Sequence, residues 1–308
     1  MRTSFLARIP LGRRYFRALA PLYPRAFESF DLSEYDLVVS STTAWAKGVL
    51  TRPGTVHVCY INTVSRFAFD YERYVGGFGI GALARPVIDR LVAWDTRAAA
   101  RPTVFVANSR NVADRVRAYY GREALVLPCP VDIDRYTIGP GAGDYFVIVS
   151  RLLPYKAIDR AIVACALAGV PLHIIGTGPA EAALKAVAAG TQTTFHGYLD
   201  DGSMNRIVGN ARAAILPGEE DFGLLPLEAA AAGRPTIAYA RGGALETIVA
   251  GETGAFFNDP TPESLAAVLR TFDAAAFHRE RLRDHAASFA PPRFIERLRE
   301  IVAAQRAS

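Results

Sequence analysis

The chain has 308 residues, 51% of them hydrophobic and 21% charged, with a formal net charge of +5. That balance indicates two globular domains with substantial cores and excludes a disordered or fibrous chain, and no run reaches the length of a membrane-spanning helix. The three cysteines, Cys59, Cys129 and Cys165, are odd in number and far apart, which points to reduced thiols in a cytoplasmic compartment and away from a metal cluster.

Six arginines, Arg2, Arg8, Arg13, Arg14, Arg17 and Arg25, precede the first acid, Glu28, with Tyr15, Phe16, Leu19 and Leu22 interleaved. Such a segment suits the anionic inner face of a membrane as a peripheral contact. As an ordinary surface helix it would pack its aromatic side on its own domain. No nucleic-acid-binding signature accompanies the charge, and no apolar stretch of signal-peptide kind follows it. Residues 12–24 read as helix, 36–40 as a short buried strand, 42–50 as helix and 56–61 as strand. Asn62 and Thr63 then sit just past a strand's carboxyl end, where open α/β sheets place ligands. Residues 64–100 read as mostly helical around a glycine loop at 76–79, and 103–107 as a strand. Asn108 and Ser109 cap a helix to Tyr120. Residues 124–127 form a last strand, and 128–140 read as a linker.

A second alternation of the same kind begins at Asp144. Residues 145–149 are a strand that ends at Ser150, Arg151 and, beyond a proline, Lys156. A helix covers 158–168. The strand 171–175 closes on Gly176 and Gly178, and a helix starts from Pro179. The strand 193–195 is followed by Tyr198 and Leu199, and Asp200 caps a helix to Asn210. Residues 213–216 are a buried strand, and an acidic loop with Glu219, Glu220 and Asp221 follows. A helix starts near Leu224, with Pro226 in its first turn and Gly233 as its stop. Residues 236–239 are a strand leading to Gly242 and Gly243, 254–257 are extended, and helices fill the remainder. Alternating strands and helices imply parallel sheets with right-handed crossovers.

Three groups of residues carry chemistry. Free N–H groups at the start of the helix after the acidic loop suit an anionic ligand. Glu220 and Glu228 frame that start and can reach opposite ends of one extended polar ligand; as a bare pair they could equally be solvated helix surface. Only three of the 35 cationic residues are lysines, so Lys156, set with Arg151 at a strand end, departs from the local habit. Two fixed cations there would neutralise negative charge on a ligand, or could simply be a solvated loop charge pair. Gly176 and Gly178 let backbone approach a ligand, or simply make a tight turn. Asp132 and Asp134 spell a D-x-D, which in this linker position reads as turn capping, not as a metal site. No metal-ligand spacing is present.

The E-x7-E of Glu220 and Glu228, together with S-R-x-x-P-x-K from Ser150 to Lys156, resembles the retaining family 4 glycosyltransferases, also called glycosyl transferases group 1. The likeness is most specific over 144–258. It implies an α/β protein of the GT-B fold, two Rossmann-like domains whose parallel sheets face each other across a cleft. Residues 1–138 would be the acceptor-side domain, 139–290 the nucleotide-sugar-binding domain, and 291–308 a helix crossing back to the first. Glu220 would touch the donor hexose, Glu228 the ribose, and the N–H groups of Phe222, Gly223 and Leu224 would lie along sugar and diphosphate. Arg151 and Lys156 would serve the diphosphate, so that no metal is needed, with Gly242 and Gly243 offering further N–H groups. Tyr198 and Leu199 would meet the base. Asn62, Arg66 and Asp70 would lie on the acceptor or sugar side, although Arg66 and Asp70 could equally form a surface ion pair.

Within that family the subgroup resembled is that of bacterial O-antigen and exopolysaccharide mannosyltransferases. It implies GDP-mannose as co-substrate with no other cofactor, a glycan or lipid-linked precursor as acceptor, and retention of anomeric configuration. The chain departs from the pattern twice. Asn62 stands where the subgroup carries histidine, and asparagine cannot titrate. Residues 3–10 read like mid-domain sequence, so the usual opening strand and glycine-rich loop are expected upstream of a misassigned Met1. Both departures keep open a catalytically weak sugar-nucleotide-binding subunit.

Overall fold

The computed structural model describes residues 3–9, 18–65, 85–139 and 143–307. The chain divides into two compact units, Met1–Leu127 with Arg297–Ser308, and Pro128–Glu296. The division falls ahead of the expected one at 138/139. The reason is local: Val131 donates its N–H to Phe289 O at 2.9 Å and buries its side chain with Phe222 and Leu227, so the expected linker is packed into the second unit.

The first unit holds four parallel strands in the order β1-β2-β3-β4: β1 Leu37–Thr42, β2 Val56–Ile61, β3 Val104–Ala107 and β4 Ala124–Val126. Cys59, Ile61, Phe105 and Ala107 from the central strands bury against Val112 and Val116 of the helix Arg110–Tyr120. That helix begins as expected, with Ser109 Oγ accepting from Val112 N. The helix expected over 42–50 is absent. Thr42 closes β1 instead, and its hydroxyl accepts from Ala44 N and Ala46 N at 3.0 and 3.1 Å. The chain turns at once, leaving only the short 3-10 turn Ala46–Gly48. Residues 12–17 of the expected first helix and 66–84 of the expected long helical stretch lie outside the described residues; the flanking helices are Tyr23–Glu28 and Arg85–Ala98.

The second unit holds six parallel strands: β5 Phe146–Val149, β6 Leu172–Ile175, β7 Thr193–Gly197, β8 Ala213–Leu216, β9 Thr236–Tyr239 and β10 Gly254–Phe257. Their order is β10-β9-β8-β5-β6-β7. The chain therefore builds outward from β5 through β7, returns to the other side of β5, and builds outward again. One face is covered by the helices Ile158–Ala168 and Pro262–Thr271, whose Ile158, Ile162, Leu265 and Leu269 bury with Phe146, Ile148, Ile174 and Ile215. The opposite face packs on Leu225, Ala229 and Ala230 of the helix Leu224–Ala231 and on Leu282 of the helix Arg279–Ala287. The last helix, Pro291–Ala307, starts in this unit and ends in the first, where Arg306 pairs with Asp36 at 2.8 Å.

Candidate functional site

Reversal of strand order makes a crevice at the carboxyl ends of an open parallel sheet, because the connections on its two sides leave in opposite directions. In the second unit that point lies between β5 and β8. The two strands pair only at Phe146 with Ala213 and Val147 with Ala214, whereas β5 pairs with β6 along its full length. Beyond Val147 and Ala214 the strands part. The loops that leave them carry the residues singled out from the sequence.

After β5 the chain passes Arg151, which is exposed, and makes a 3-10 turn over Pro154–Lys156. Ala157 follows at φ 52°, a left-handed conformation unusual for a residue with a side chain, and turns the chain into the next helix. After β8 the acidic loop reaches Glu220, and Lys156 Nζ is ion-paired with Glu220 Oε1. Arg160 donates to Pro217 O at 2.6 Å and ties the two loops together a second time.

The helix Leu224–Ala231 starts directly from the acidic loop. Gly223 precedes it at φ 86° with no side-chain cap, so the first N–H groups of the helix are left without an intrahelical acceptor. Phe222 turns its ring inward, 4% exposed, and anchors the loop. Leu224 is exposed. Glu228 lies one turn into the helix, half-buried. Burial raises its carboxyl pKa, and a hydrogen bond from the buried Tyr136 hydroxyl offsets part of that rise.

The four glycines hold loop to loop. A Cβ on Gly178 would stand 2.3 Å from Leu152 O, and one on Gly243 would stand 2.3 Å from Phe222 Cα. The Gly176 N–H donates to Gly197 O at 2.7 Å, and the Gly243 N–H to Glu220 O at 2.8 Å. Those two N–H groups are therefore engaged within the protein, which corrects the expectation that Gly243 offers its own to a diphosphate. Gly242 bridges Glu220 at φ 64°. Tyr198 is 85% exposed beside these loops, while Leu199 is half-buried and packs against the edge of the core.

In the first unit, Asn62 sits beyond β2. Its Nδ2 donates to Ser41 Oγ at 3.2 Å and to Thr42 O at 3.3 Å, which ties its amide to the end of β1. Arg66 and Asp70 lie outside the described residues. Asp132 accepts from Asp134 N and caps the 3-10 turn Ile133–Arg135. Among the described residues no group of three His, Cys, Asp or Glu side chains could hold a metal ion, and no helix is long and apolar enough to cross a membrane.

Tyr136 and Arg160 were not legible as site residues. Each contacts a residue distant in sequence, Glu228 and Pro217, and neither lies in a motif.

Residues 139–289 match the family described as Glycosyl transferases group 1. A D-inositol 3-phosphate glycosyltransferase of Geodermatophilus obscurus is 32% identical over 230 residues, 63% of this chain and 50% of that protein. A GDP-mannose-dependent alpha-(1-6)-phosphatidylinositol dimannoside mannosyltransferase of Mycobacterium tuberculosis is 36% identical over 128 residues, 39% of this chain and 33% of that protein. The matches thus span half or less of these relatives. The solved structure of sucrose-phosphate synthase from Thermosynechococcus elongatus aligns over 97% of this chain and 80% of its own, with a TM-score of 0.74 at 17% identity, a likeness of fold. The segment 139–289, which carries Lys156, Glu220 and Glu228 on the elements around the switch point, thus resembles the Glycosyl transferases group 1 family, in an α/β chain of two parallel-sheet domains with the fold of GT-B glycosyltransferases.

Proposed function

We propose that this chain transfers a hexose, with retention of configuration, from a nucleotide-sugar donor to a glycan or lipid-linked acceptor. The observation that carries the proposal is the Lys156–Glu220 pair at the switch point, set against the start of the helix that bears Glu228, within the segment that matches Glycosyl transferases group 1. Glu220 orients the hexose and Glu228 holds the ribose. The N–H groups at Phe222, Gly223 and Leu224 lie along sugar and diphosphate. Lys156 and Arg151 neutralise the leaving diphosphate, a fixed-charge role that requires no divalent metal. Tyr198, at the rim, meets the base. The donor in this reading is GDP-mannose, supported by the subgroup resemblance and by the donor named for the mycobacterial relative.

The test is donor turnover. Purified protein is given GDP-mannose and UDP-glucose with a lipid-linked glycan acceptor, and nucleoside diphosphate release and the anomeric configuration of the product are measured. Release of GDP with a retained anomer supports the reading. UDP release alone would overturn the mannose assignment. Tight GDP binding without turnover would favour a binding subunit, the reading that Asn62 motivates. The arginine-rich segment before Glu28 is assigned to an anionic membrane surface. Salt-sensitive binding to phosphatidylglycerol vesicles and none to neutral ones would support that assignment, and equal partitioning to both would remove it.

A further inference from the structure

The helix Arg279–Ala287 packs behind the acidic loop and carries His285. His285 Nε2 lies 2.9 Å from the carbonyl oxygen of Thr247, the last residue of the helix Ala244–Thr247. A carbonyl only accepts, so Nε2 carries the proton. Thr247 Oγ1, itself buried, donates to Gly243 O at 3.2 Å. The Gly243 N–H donates to Glu220 O at 2.8 Å, and the Glu220 carboxylate pairs with Lys156. A second route runs through rings. The His285 imidazole meets Phe289 edge-on at 5.5 Å, and Phe289 meets Phe222 edge-on at 6.2 Å. One imidazole thus reaches the acidic loop at two points, Glu220 by hydrogen bonds and Phe222 by packing.

We propose that His285 is a positioning residue that fixes the backbone of the loop 219–224, and with it the Glu220 carboxylate, from outside the site. The loop joins β8 to the helix Leu224–Ala231 and touches its neighbours through the Glu220–Gly242 bridge and the Phe222 ring, and a functional loop of this kind is positioned by the scaffold around it. Misplacement of a positioning group by about 1 Å costs on the order of a hundredfold in rate. The part of the proposal that concerns the reaction rests on the reading that Glu220 orients the donor hexose. The part that concerns the loop does not. His285 acts on the sugar end only; the nucleotide end is held by Glu228, which Tyr136 supports from a different element.

Two substitutions separate the routes. His285→Phe keeps a ring against Phe289 and removes the donor to Thr247. His285→Gln places an amide donor near the position of Nε2 and removes the ring. Amide hydrogen exchange of the loop 219–224 and of Gly243, kcat, donor KM and the affinity for free GDP are measured for both. In His285→Phe, exchange at Gly243 and in the loop should rise by about tenfold or more and kcat should fall by about ten- to a hundredfold, with GDP affinity unchanged. His285→Gln should restore exchange at Gly243 and most of kcat. Unchanged exchange in His285→Phe overturns the proposal whatever the activity. Equal loss of kcat and GDP affinity in both variants, in step with a lowered melting temperature, also overturns it and leaves a merely structural histidine. A wild-type protein without donor turnover, but with the predicted exchange pattern, sustains the loop assignment and removes the transferase reading instead.

Discussion

Lys156 and Glu220 form an ion pair across the parted ends of β5 and β8, with their side chains 19% and 17% exposed. Half-burial keeps the pair stronger than a surface bridge yet open to a ligand. A donor diphosphate would compete with Glu220 for the ammonium, and the hexose hydroxyls would compete with Lys156 for the carboxylate. Lys156→Ala should lower kcat by about 10²–10³, the usual cost of a lost partner for developing charge, with a smaller effect on donor KM. Glu220→Ala should impair both. The assay is donor turnover at saturating acceptor, with and without EDTA. Abolition by EDTA, or an unchanged kcat in Lys156→Ala, would place the neutralising charge elsewhere.

Glu228 combines burial, which raises its pKa, with a hydrogen bond from Tyr136, which lowers it. If its ionised form holds the ribose, donor KM rises as pH falls through that raised pKa. Tyr136→Phe removes the stabilising donor, so the rise should begin at higher pH while kcat at saturating donor stays near wild type. Superimposable KM–pH profiles for the two proteins would refute the link.

His57 on β2 is 1% exposed, its Nε2 2.8 Å from Ser40 Oγ and its Nδ1 buried with no partner among the described residues. Burial pushes its pKa down to about 4, against about 6.5 in an unfolded chain. The unfolded state therefore takes up a proton that the folded state refuses. The stabilisation is complete above about pH 6.5 and is lost as pH falls toward 4, by on the order of 3 kcal/mol. Both tryptophans, Trp45 and Trp94, lie in the first unit, so urea unfolding followed by their fluorescence reports on this unit alone. A midpoint that does not move between pH 7 and 4.5 would contradict the prediction. In His57→Asn this acid sensitivity should be absent.

Lys47 and Asp95 are both 0% exposed and paired, with Asp95 also accepting from Ser65 Oγ and from Tyr120 Oη at 2.7 Å. Burial lowers the Lys47 pKa and Asp95 counters it. Asp95→Asn leaves a buried ammonium without its counter-charge and should cost about 3–5 kcal/mol, whereas replacing the pair together by Met and Leu should cost much less. The same fluorescence-detected unfolding decides. A loss below about 1 kcal/mol in the single variant would mean that the ammonium finds other partners.

Strands were legible because each is a short apolar run bounded by turn residues, and β8, β9 and β10 fall on the expected residues. The segment after β1 was misread because its alanines and Trp45 favour a helix, while the Thr42 hydroxyl captures two N–H groups and turns the chain first. Helix propensity is a weak prior beside such tertiary contacts. The glycines were visible, but not their purpose, since a Cβ clash with another loop is a property of the fold alone. Strand order was likewise hidden: nothing in the sequence says that β8 returns to β5, and that return is what brings Lys156 and Glu220 together.

The short ladder between β5 and β8 also bears on how the second unit is assembled. The strands β5 to β7 pair with their successors in sequence, as do β8 to β10, but the two halves are seamed by two residue pairs from distant parts of the chain. Closing that loop carries the largest entropic cost in the sheet for the fewest new bonds. The seam is expected to form late in refolding and to open first under mild denaturant, and a molecule seated across it adds the bonds the backbone lacks. Its occupant would then act as a clasp, and the gain in melting temperature on adding GDP would measure how far the two halves depend on it.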